Sequence, residues 1–318
     1  MTIPQPLLDE VLEFTSFLDS PAANLYEVVE SRFDCMKFLT QRVERSGNHT
    51  EDELITFREW FRAATDPWVI RSPMVARARN WPEGYPGDYK TLEAVYANSP
   101  SGDGVGRHID SYVLSRTLAV AVRSRCRMLT KLLDQRAREE APGARWLNLA
   151  CGPCRELVAL AAPADSRTIY CVDSDENSLN YAKDLLADRL LGDRHFVTEN
   201  AYRFVNAKRT TEKYGQFTTI YSAGLFDYIP SDKLSPLLRG LYDSLAPGGL
   251  FIAPFKDRNR YETFDYHWFL KWHYFYQRTE PDFRAIFADA GVPDREIIVQ
   301  RDDTGVLLFF TVRKQPSA

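Results

Sequence analysis

The hydrophobic pattern of this 318-residue chain changes its period near Ala144, and this change limits the folds that it can adopt. Residues 6–139 carry apolar side chains at helical spacing, whereas later residues alternate short apolar runs with amphipathic stretches. Alternating strands and helices form a parallel sheet that is covered by helices on both faces. We therefore predict an N-terminal helical domain over residues 1–140 and an α/β domain over residues 141–318.

Within the α/β domain, short apolar runs bounded by turn residues predict the strands. A final pair of apolar runs is joined by a short turn, so we expect an antiparallel pair at the sheet edge. The pattern places the strands at 145–149, 168–172, 195–198, 217–222, 250–254, 296–299 and 306–312, and the intervening helices at 176–190 and 234–245.

In the N-terminal region, apolar spacing predicts helices over 6–18, 25–39, 52–64 and 89–97. One long amphipathic helix is predicted from His108 to Glu139, because Pro142 and Gly143 follow it. The glycine-rich segment 101–106 lacks a preceding strand, so we interpret it as a flexible turn and not as a phosphate loop.

The first predicted strand runs into a turn with one glycine, Gly152, and a helical pattern resumes at Glu156. Glycine lets the backbone approach a ligand where a Cβ would collide, and a helix start supplies unpaired N–H groups. This stretch alone is as compatible with a structural turn as with a cofactor loop.

Polar residues follow the next two strands. Asp173 ends the second strand, about twenty residues after the glycine loop, where a carboxylate can accept both hydroxyls of a ribose. Asn200 ends the third strand and carries an amide that suits an adenine edge. Asp175 and Glu199 are equally well explained as a helix cap and a surface acid.

Four motifs in this order resemble the class I S-adenosylmethionine-dependent methyltransferases over residues 145–313: Leu-Asn-Leu-Ala-Cys-Gly-Pro-Cys, Val-Asp-Ser-Asp, Tyr-Ser-Ala-Gly-Leu-Phe-Asp-Tyr-Ile and Leu-Ala-Pro-Gly-Gly-Leu-Phe-Ile. The resemblance implies a Rossmann-like fold, a mostly parallel sheet with an antiparallel edge strand, and S-adenosylmethionine as cosubstrate or sole substrate. It also implies cofactor contacts from Ala150 and Gly152 to the methionine part, from Asp173 to the ribose, from Asn200 and Ala201 near adenine, and from Ser174, Ser222 and Ala223.

Two aromatic segments fall outside those motifs. Residues 80–89 combine two prolines and two glycines with three aromatic rings, and an insertion at 256–280 contains the aromatic run 261–276. The rings either pack into a core or enclose a sulfonium, where each could contribute ~0.5–2 kcal/mol. The second interpretation gives the candidate catalytic residues Trp81, Tyr85, Asp88, Tyr89, Tyr261 and Tyr266. Asp265, His267 and His273 are further titratable candidates, but no spacing singles out a pair.

The Gly84–Asp88 loop and the helical region are also similar to a narrower group, which includes 3-hydroxy fatty acid methyl ester synthases and azetidine-2-carboxylate synthases. Three hypotheses follow. The preferred one is cyclisation of S-adenosylmethionine to azetidine-2-carboxylate and methylthioadenosine. The second is methylation of a small-molecule carboxylate or hydroxyl, such as a 3-hydroxy fatty acid. The third is a non-catalytic module that binds the cofactor.

Composition excludes several other classes. A net charge of −4 disfavours nucleic acid as a partner. The absence of a basic start and of any long apolar run predicts a cytosolic protein without a membrane partner. A small-molecule substrate is what the family resemblance implies. Cys151 and Cys154 form a Cys-x-x-Cys pair, but no second pair or histidine cluster accompanies it, and no metal is expected.

Overall fold

A computed structural model describes residues 3–161, 167–189, 191–272 and 276–316. The chain divides into two compact units. The first, called the helical unit below, comprises Met1–Val120 and Glu262–Tyr274. The second, called the sheet unit, comprises Ala121–Tyr261 and Phe275–Ala318. The predicted α/β class with a helical N-terminal region is confirmed. None of the described helices combines the length and the apolar character that crossing a membrane requires.

Six helices build the N-terminal part of the helical unit, and local signals fix several of their starts. Thr50 and Glu53 form a reciprocal capping box, and Ser72 caps a helix whose first residue is proline. The helices are α1 (Gln5–Leu18), α2 (Tyr26–Arg45), α3 (Glu51–Val69), α4 (Pro73–Asn80), α5 (Tyr89–Ala97) and α6 (Gly104–Ser115).

The prediction of one helix from residue 108 to residue 139 is wrong. Helix α6 ends at Ser115 and α7 spans Thr117–Glu139, because Arg116 between them is extended, with φ −71° and ψ 153°. The Arg116 guanidinium pairs with Glu30 and Asp34 at 2.9 and 3.1 Å and lies 4.0 Å from the Tyr112 ring centroid. Long-range contacts therefore accompany a break that no proline or glycine marks.

The predicted flexible turn at 101–106 is also only partly right. Helix α6 begins at Gly104, so Gly106 lies within it. A Cβ at Gly106 would collide with the backbone carbonyl of Arg71. This glycine therefore serves a close helix approach and not loop flexibility.

The sheet unit contains seven strands in the order β3-β2-β1-β4-β5-β7-β6. The first five strands are parallel, and β7 pairs antiparallel with both β5 and β6, as predicted for the edge. Their bounds are β1 Arg145–Leu149, β2 Thr168–Asp173, β3 Asp193–Thr198, β4 Phe217–Tyr221, β5 Leu245–Lys256, β6 Ile297–Arg301 and β7 Leu307–Arg313. The helices that follow α7 are α8 (Arg155–Val158), α9 (Glu176–Leu185), α10 (Ala207–Tyr214), α11 (Ser231–Asp243) and α12 (Glu280–Asp289).

Strand β5 is longer than the sequence predicts, because it incorporates the Pro-Gly-Gly turn. Its pairing with β4 shifts register between Phe217 and Thr219, and the Gly248 N–H donates to the carbonyl of Lys314 at 2.9 Å. Helix α9 is shorter than predicted and ends at Leu185. Position 190, the predicted helix end, lies outside the described residues.

The aromatic segment contributes several rings to the core of the helical unit. Phe264 and Trp268 lie edge-on to Phe61, with centroids 6.2 and 5.8 Å away, and Phe269 lies 4.9 Å from Phe33. The Trp268 indole donates to Glu44 Oε1 at 2.8 Å. For these rings, packing into a core is therefore what the structure shows. His273, Tyr274 and Phe275 fall outside the described residues.

Replacing Trp268 with alanine should destabilise the helical unit by about 3–5 kcal/mol, since a fully buried ring and its bond to Glu44 are lost. Urea unfolding followed by circular dichroism measures this change. The matched control is Phe38→Ala, because the Phe38 side chain is 64% exposed and its loss should cost less than about 0.5 kcal/mol. Equal losses in the two variants would contradict the core assignment.

Candidate functional site

The candidate site lies at the carboxyl ends of β1 and β4. Strand order reverses between these two strands, and such a switch point is where open α/β sheets bind ligands. The loop that leaves β1 has three left-handed residues: Ala150 (φ 50°), Gly152 (φ 53°) and Cys154 (φ 54°). Left-handed backbone is unfavourable for alanine and cysteine, so tertiary contacts must hold this loop in shape.

One of those contacts comes from Asp173, at the end of β2. Its Oδ2 accepts a hydrogen bond from the Gly152 N–H at 2.9 Å, and its Oδ1 accepts one from the Asp175 N–H at 3.1 Å. Burial raises the pKa of the Asp173 carboxyl, and the two N–H donors oppose that rise. The structure therefore brings together two of the predicted cofactor residues, and Asp173 fixes the glycine loop as well as ending its strand.

A buried polar network at the start of α8 supports the same loop, and it could not be read from the sequence. Glu156 Oε1 accepts hydrogen bonds from Asn148 Nδ2 at 2.8 Å and from the Tyr221 hydroxyl at 3.1 Å. Thr130 of α7 donates to the Glu156 carbonyl at 3.1 Å. Burial raises the pKa of the Glu156 carboxyl to about 7, although both side-chain hydrogen bonds lower it. The network ties β1, β4 and α7 to the start of α8.

The remaining predicted cofactor residues lie at the same edge of the sheet unit. Ser222 follows β4 and is fully buried, and its Oγ has no hydrogen-bond partner within the described chain. Asn200 follows β3 and is exposed, with its Oδ1 accepting from the Tyr202 N–H at 2.9 Å. The other three are Ser174, which is exposed, and Ala201 and Ala223, which are partly buried.

The two weaker acidic candidates have structural partners. Asp175 caps α9 by accepting from the Asn177 N–H at 2.9 Å. Glu199 pairs with Lys213 at 3.0 Å and accepts from the Tyr214 hydroxyl at 2.5 Å. The cap at Asp175 matches the helix-cap interpretation from the sequence, whereas the partners of Glu199 could not be read from it.

The cysteines near the loop are structural in character. Cys151, Cys154 and Cys171 are buried, and all three are free thiols. Asn148 Nδ2 approaches Cys154 Sγ at 3.6 Å. Over the described ranges, no group of three His, Cys, Asp or Glu side chains is arranged to hold a metal ion.

The predicted catalytic residues fall in different units. Asp88 is 1% exposed, accepts from the Arg77 Nε at 2.9 Å and caps α5 through the Thr91 N–H at 2.9 Å, so it has a structural role in the helical unit. Trp81 ends α4 in a left-handed conformation. Also in the helical unit, Tyr85 is half-buried, Tyr89 is buried in α5, and Tyr266 stacks on Trp272 at 6.2 Å. Tyr261 belongs to the sheet unit, where burial raises the pKa of its hydroxyl.

A charged cluster after β4 was also missed. Lys256, at the end of β5, donates to Asp227 Oδ2 at 2.8 Å, and both side chains are buried. Burial lowers the pKa of the Lys256 ammonium to about 8, and the Asp227 charge opposes this. In the sequence, Asp227 and Lys256 each follow the end of a predicted strand. This shared position is the one sequence feature that could have predicted their contact.

Comparisons with known proteins agree with this geometry. A family model described as a methyltransferase domain matches residues 147–249, which run from β1 into β5 and include the glycine loop and Asp173. No curated protein sequence matches the chain.

Two solved structures show the same fold. A possible exported protein from Bordetella parapertussis is 19% identical over 72% of this chain and 79% of its own, with a TM-score of 0.59. The S-adenosylmethionine-dependent methyltransferase SibL, in its apo form, is 15% identical over 98% of this chain and 74% of its own, with a TM-score of 0.50. The predicted class I fold is confirmed.

Ionisation of Glu156 should make stability depend on pH. Its folded pKa of about 7 exceeds the ordinary value of 4.5, so the folded state retains the proton more strongly. The free energy of unfolding should therefore fall by up to about 3 kcal/mol as pH rises from 4.5 to 7, and then level off. Glu156→Gln keeps an acceptor for Asn148 and Tyr221 and should lack this fall. Urea titrations across this pH range compare the two proteins, and identical pH slopes would contradict the assignment.

Proposed function

We propose that the protein is an S-adenosylmethionine-dependent methyltransferase that methylates a small molecule carrying a carboxylate or a hydroxyl, because residues 147–249 match a family model described as a methyltransferase domain. The observation that carries the proposal is the contact between Asp173 and the Gly152 N–H at the switch point. It sets the backbone of the glycine loop beside a carboxylate, and a nucleoside cosubstrate needs both surfaces.

The residues of this edge fit S-adenosylmethionine. Asp173 offers the carboxylate lone pairs that remain after two backbone hydrogen bonds, and Gly152 has no side chain to fill the space beside it. The buried Ser222 hydroxyl has no partner within the part of the chain that the structure describes. These three residues would hold the cosubstrate, which supplies an electrophilic methyl carbon next to a positive sulfur. Asp173 would accept hydrogen bonds from the ribose, and the Gly152 backbone would contact the methionine part.

The sheet unit offers few side chains that could act as a general base. This favours an acceptor that is already ionised. Its one histidine, His195, lies within β3 and stacks on Tyr170 at 4.9 Å. The carboxylate of Asp227 is engaged by Lys256. A carboxylic acid acceptor is deprotonated at neutral pH and needs no base, so we favour a carboxylate over a hydroxyl as the methylated group.

The same observation supports a second candidate reaction, cyclisation to azetidine-2-carboxylate. That reaction also has no acceptor to deprotonate, and the protein would contribute by excluding water and restraining the methionine chain. In the helical unit, the rings of Trp81, Tyr85, Tyr89 and Tyr266 remain predicted substrate contacts under either reaction.

Incubating the purified protein with S-adenosylmethionine alone distinguishes the reactions. Methyl transfer predicts no turnover until a carboxylic acid such as a 3-hydroxy fatty acid is added, after which S-adenosylhomocysteine and a methyl ester accumulate. Formation of methylthioadenosine and a four-membered amino acid without any acceptor would show that the reaction is cyclisation and not methyl transfer. Cofactor binding without turnover across a panel of acids would instead indicate a binding module.

Replacing Asp173 with alanine should weaken S-adenosylhomocysteine binding about 10- to 100-fold, because a charged hydrogen-bond acceptor worth about 1.5–3 kcal/mol is lost. Isothermal titration calorimetry measures the dissociation constant. The matched control is Asp193→Ala, since Asp193 is an exposed carboxylate at the start of β3 and its loss should leave binding unchanged. Unchanged affinity in Asp173→Ala would remove Asp173 from the cofactor site.

A further inference from the structure

Arg125, in α7, is a buried cation that has no hydrogen-bond or ion-pair partner among the described residues. Arg125 is only 5% exposed. No acceptor in the described chain receives a hydrogen bond from its Nε, and no described carboxylate pairs with its guanidinium. Several other buried arginines have acceptors: Arg136 of the same helix pairs with Glu140 at 2.9 Å, and Arg278 donates to the carbonyls of Phe226 and Ile229 at 3.2 and 2.6 Å. Since an unpaired buried charge is strongly unfavourable, Arg125 calls for an anion from outside the chain.

The guanidinium lies beside the loop that follows β4. A Cβ built on Gly224 would stand 2.6 Å from Arg125 Nη1 and 3.1 Å from its Cζ. Farther along α7, Arg136 bonds to Thr219 of β4 at 3.2 Å, so the helix runs antiparallel to the strand and carries Arg125 to the carboxyl edge. Glycine at position 224 therefore lets the backbone at the switch point approach the charged group.

The charges around this position do not cancel. Asp227 and Lys256 form a neutral buried pair. Lys256 lies close enough to Arg125 for the guanidinium charge to lower the pKa of the ammonium. The next carboxylate along the chain, Asp257, pairs with Arg301 at 2.8 Å. Arg278 is a further buried cation on which the charge of Asp227 acts, so the described cluster carries an excess of positive charge that an anion would reduce.

We infer that Arg125 and the Gly224 loop form a binding subsite for a ligand carboxylate at the switch point. A guanidinium fork matches a carboxylate through two parallel hydrogen bonds. The carboxylate has two possible sources, the methionine part of the cosubstrate or the acceptor acid. Only the identity of these sources rests on the proposed function, whereas the subsite itself does not.

Butyrate serves as the probe, with butyramide as its neutral counterpart. At pH 7 and constant ionic strength against chloride, butyrate should raise the thermal midpoint of the wild-type protein by about 2–4 °C, and butyramide should not. Arg125→Met should weaken butyrate binding at least about tenfold. Arg127→Met removes the same charge from an exposed position of α7 and should behave as wild type. Arg125→Lys, which keeps the charge but loses the fork, should bind butyrate with intermediate affinity.

Repeating the titration with saturating S-adenosylhomocysteine identifies the source. Loss of the butyrate effect assigns the subsite to the cosubstrate carboxylate, and S-adenosylhomocysteine should then bind about tenfold more weakly to Arg125→Met. A retained effect assigns it to the acceptor acid. Equal butyrate responses in wild type and Arg125→Met, or an equal response to butyramide, would overturn the inference. S-adenosylhomocysteine binding and methyl transfer are measured separately, so failure of the subsite is distinguishable from failure of the proposed function.

Discussion

The hydrogen bond from the Gly152 N–H to Asp173 is the interaction on which the candidate site depends. It joins the loop after β1 to the end of β2 and holds a backbone with left-handed residues on both sides of the glycine. Neighbouring parallel strands bring their carboxyl ends to one edge, but they do not define the shape of the loops there. The Asp173 carboxylate, which accepts from two backbone N–H groups, holds the glycine loop in its shape. Under the proposed function, the same side chain would also bind the ribose.

Beneath this contact, Glu156, Asn148 and Tyr221 form a second layer of support. All three are buried, and their hydrogen bonds connect β1, β4 and the start of α8. Because burial raises the pKa of the Glu156 carboxyl, ionisation of this carboxyl lowers the free energy of unfolding. The position of this network under the glycine loop links the rigidity of the site to the protonation of one side chain.

Much of the fold could be predicted from the sequence because its signals are local. The apolar runs correctly predicted the strands and the antiparallel edge of the sheet. The acidic residue predicted at the end of β2 is also found there. The break at Arg116 could not be predicted, since it coincides with ion pairs to residues in another helix. The same reason applies to Arg125 and Glu156, whose environments are set by residues far away in sequence. Asp88 shows the same limit, because its bonds to Arg77 and to the Thr91 N–H could not be read from its position in an unusual loop.

The helical unit consists of two separate pieces of chain, and this has a consequence for its biosynthesis. Side chains from residues 264–272 complete a core whose other members lie before residue 121. A ribosome must therefore produce the whole sequence from β1 to β5 before the helical core can close. Until then Phe33 and Phe61 lack the rings that cover them, and exposed aromatic surface of this kind favours association with chaperones and aggregation. The sheet unit, whose five parallel strands are contiguous in the chain, has its central structure available first.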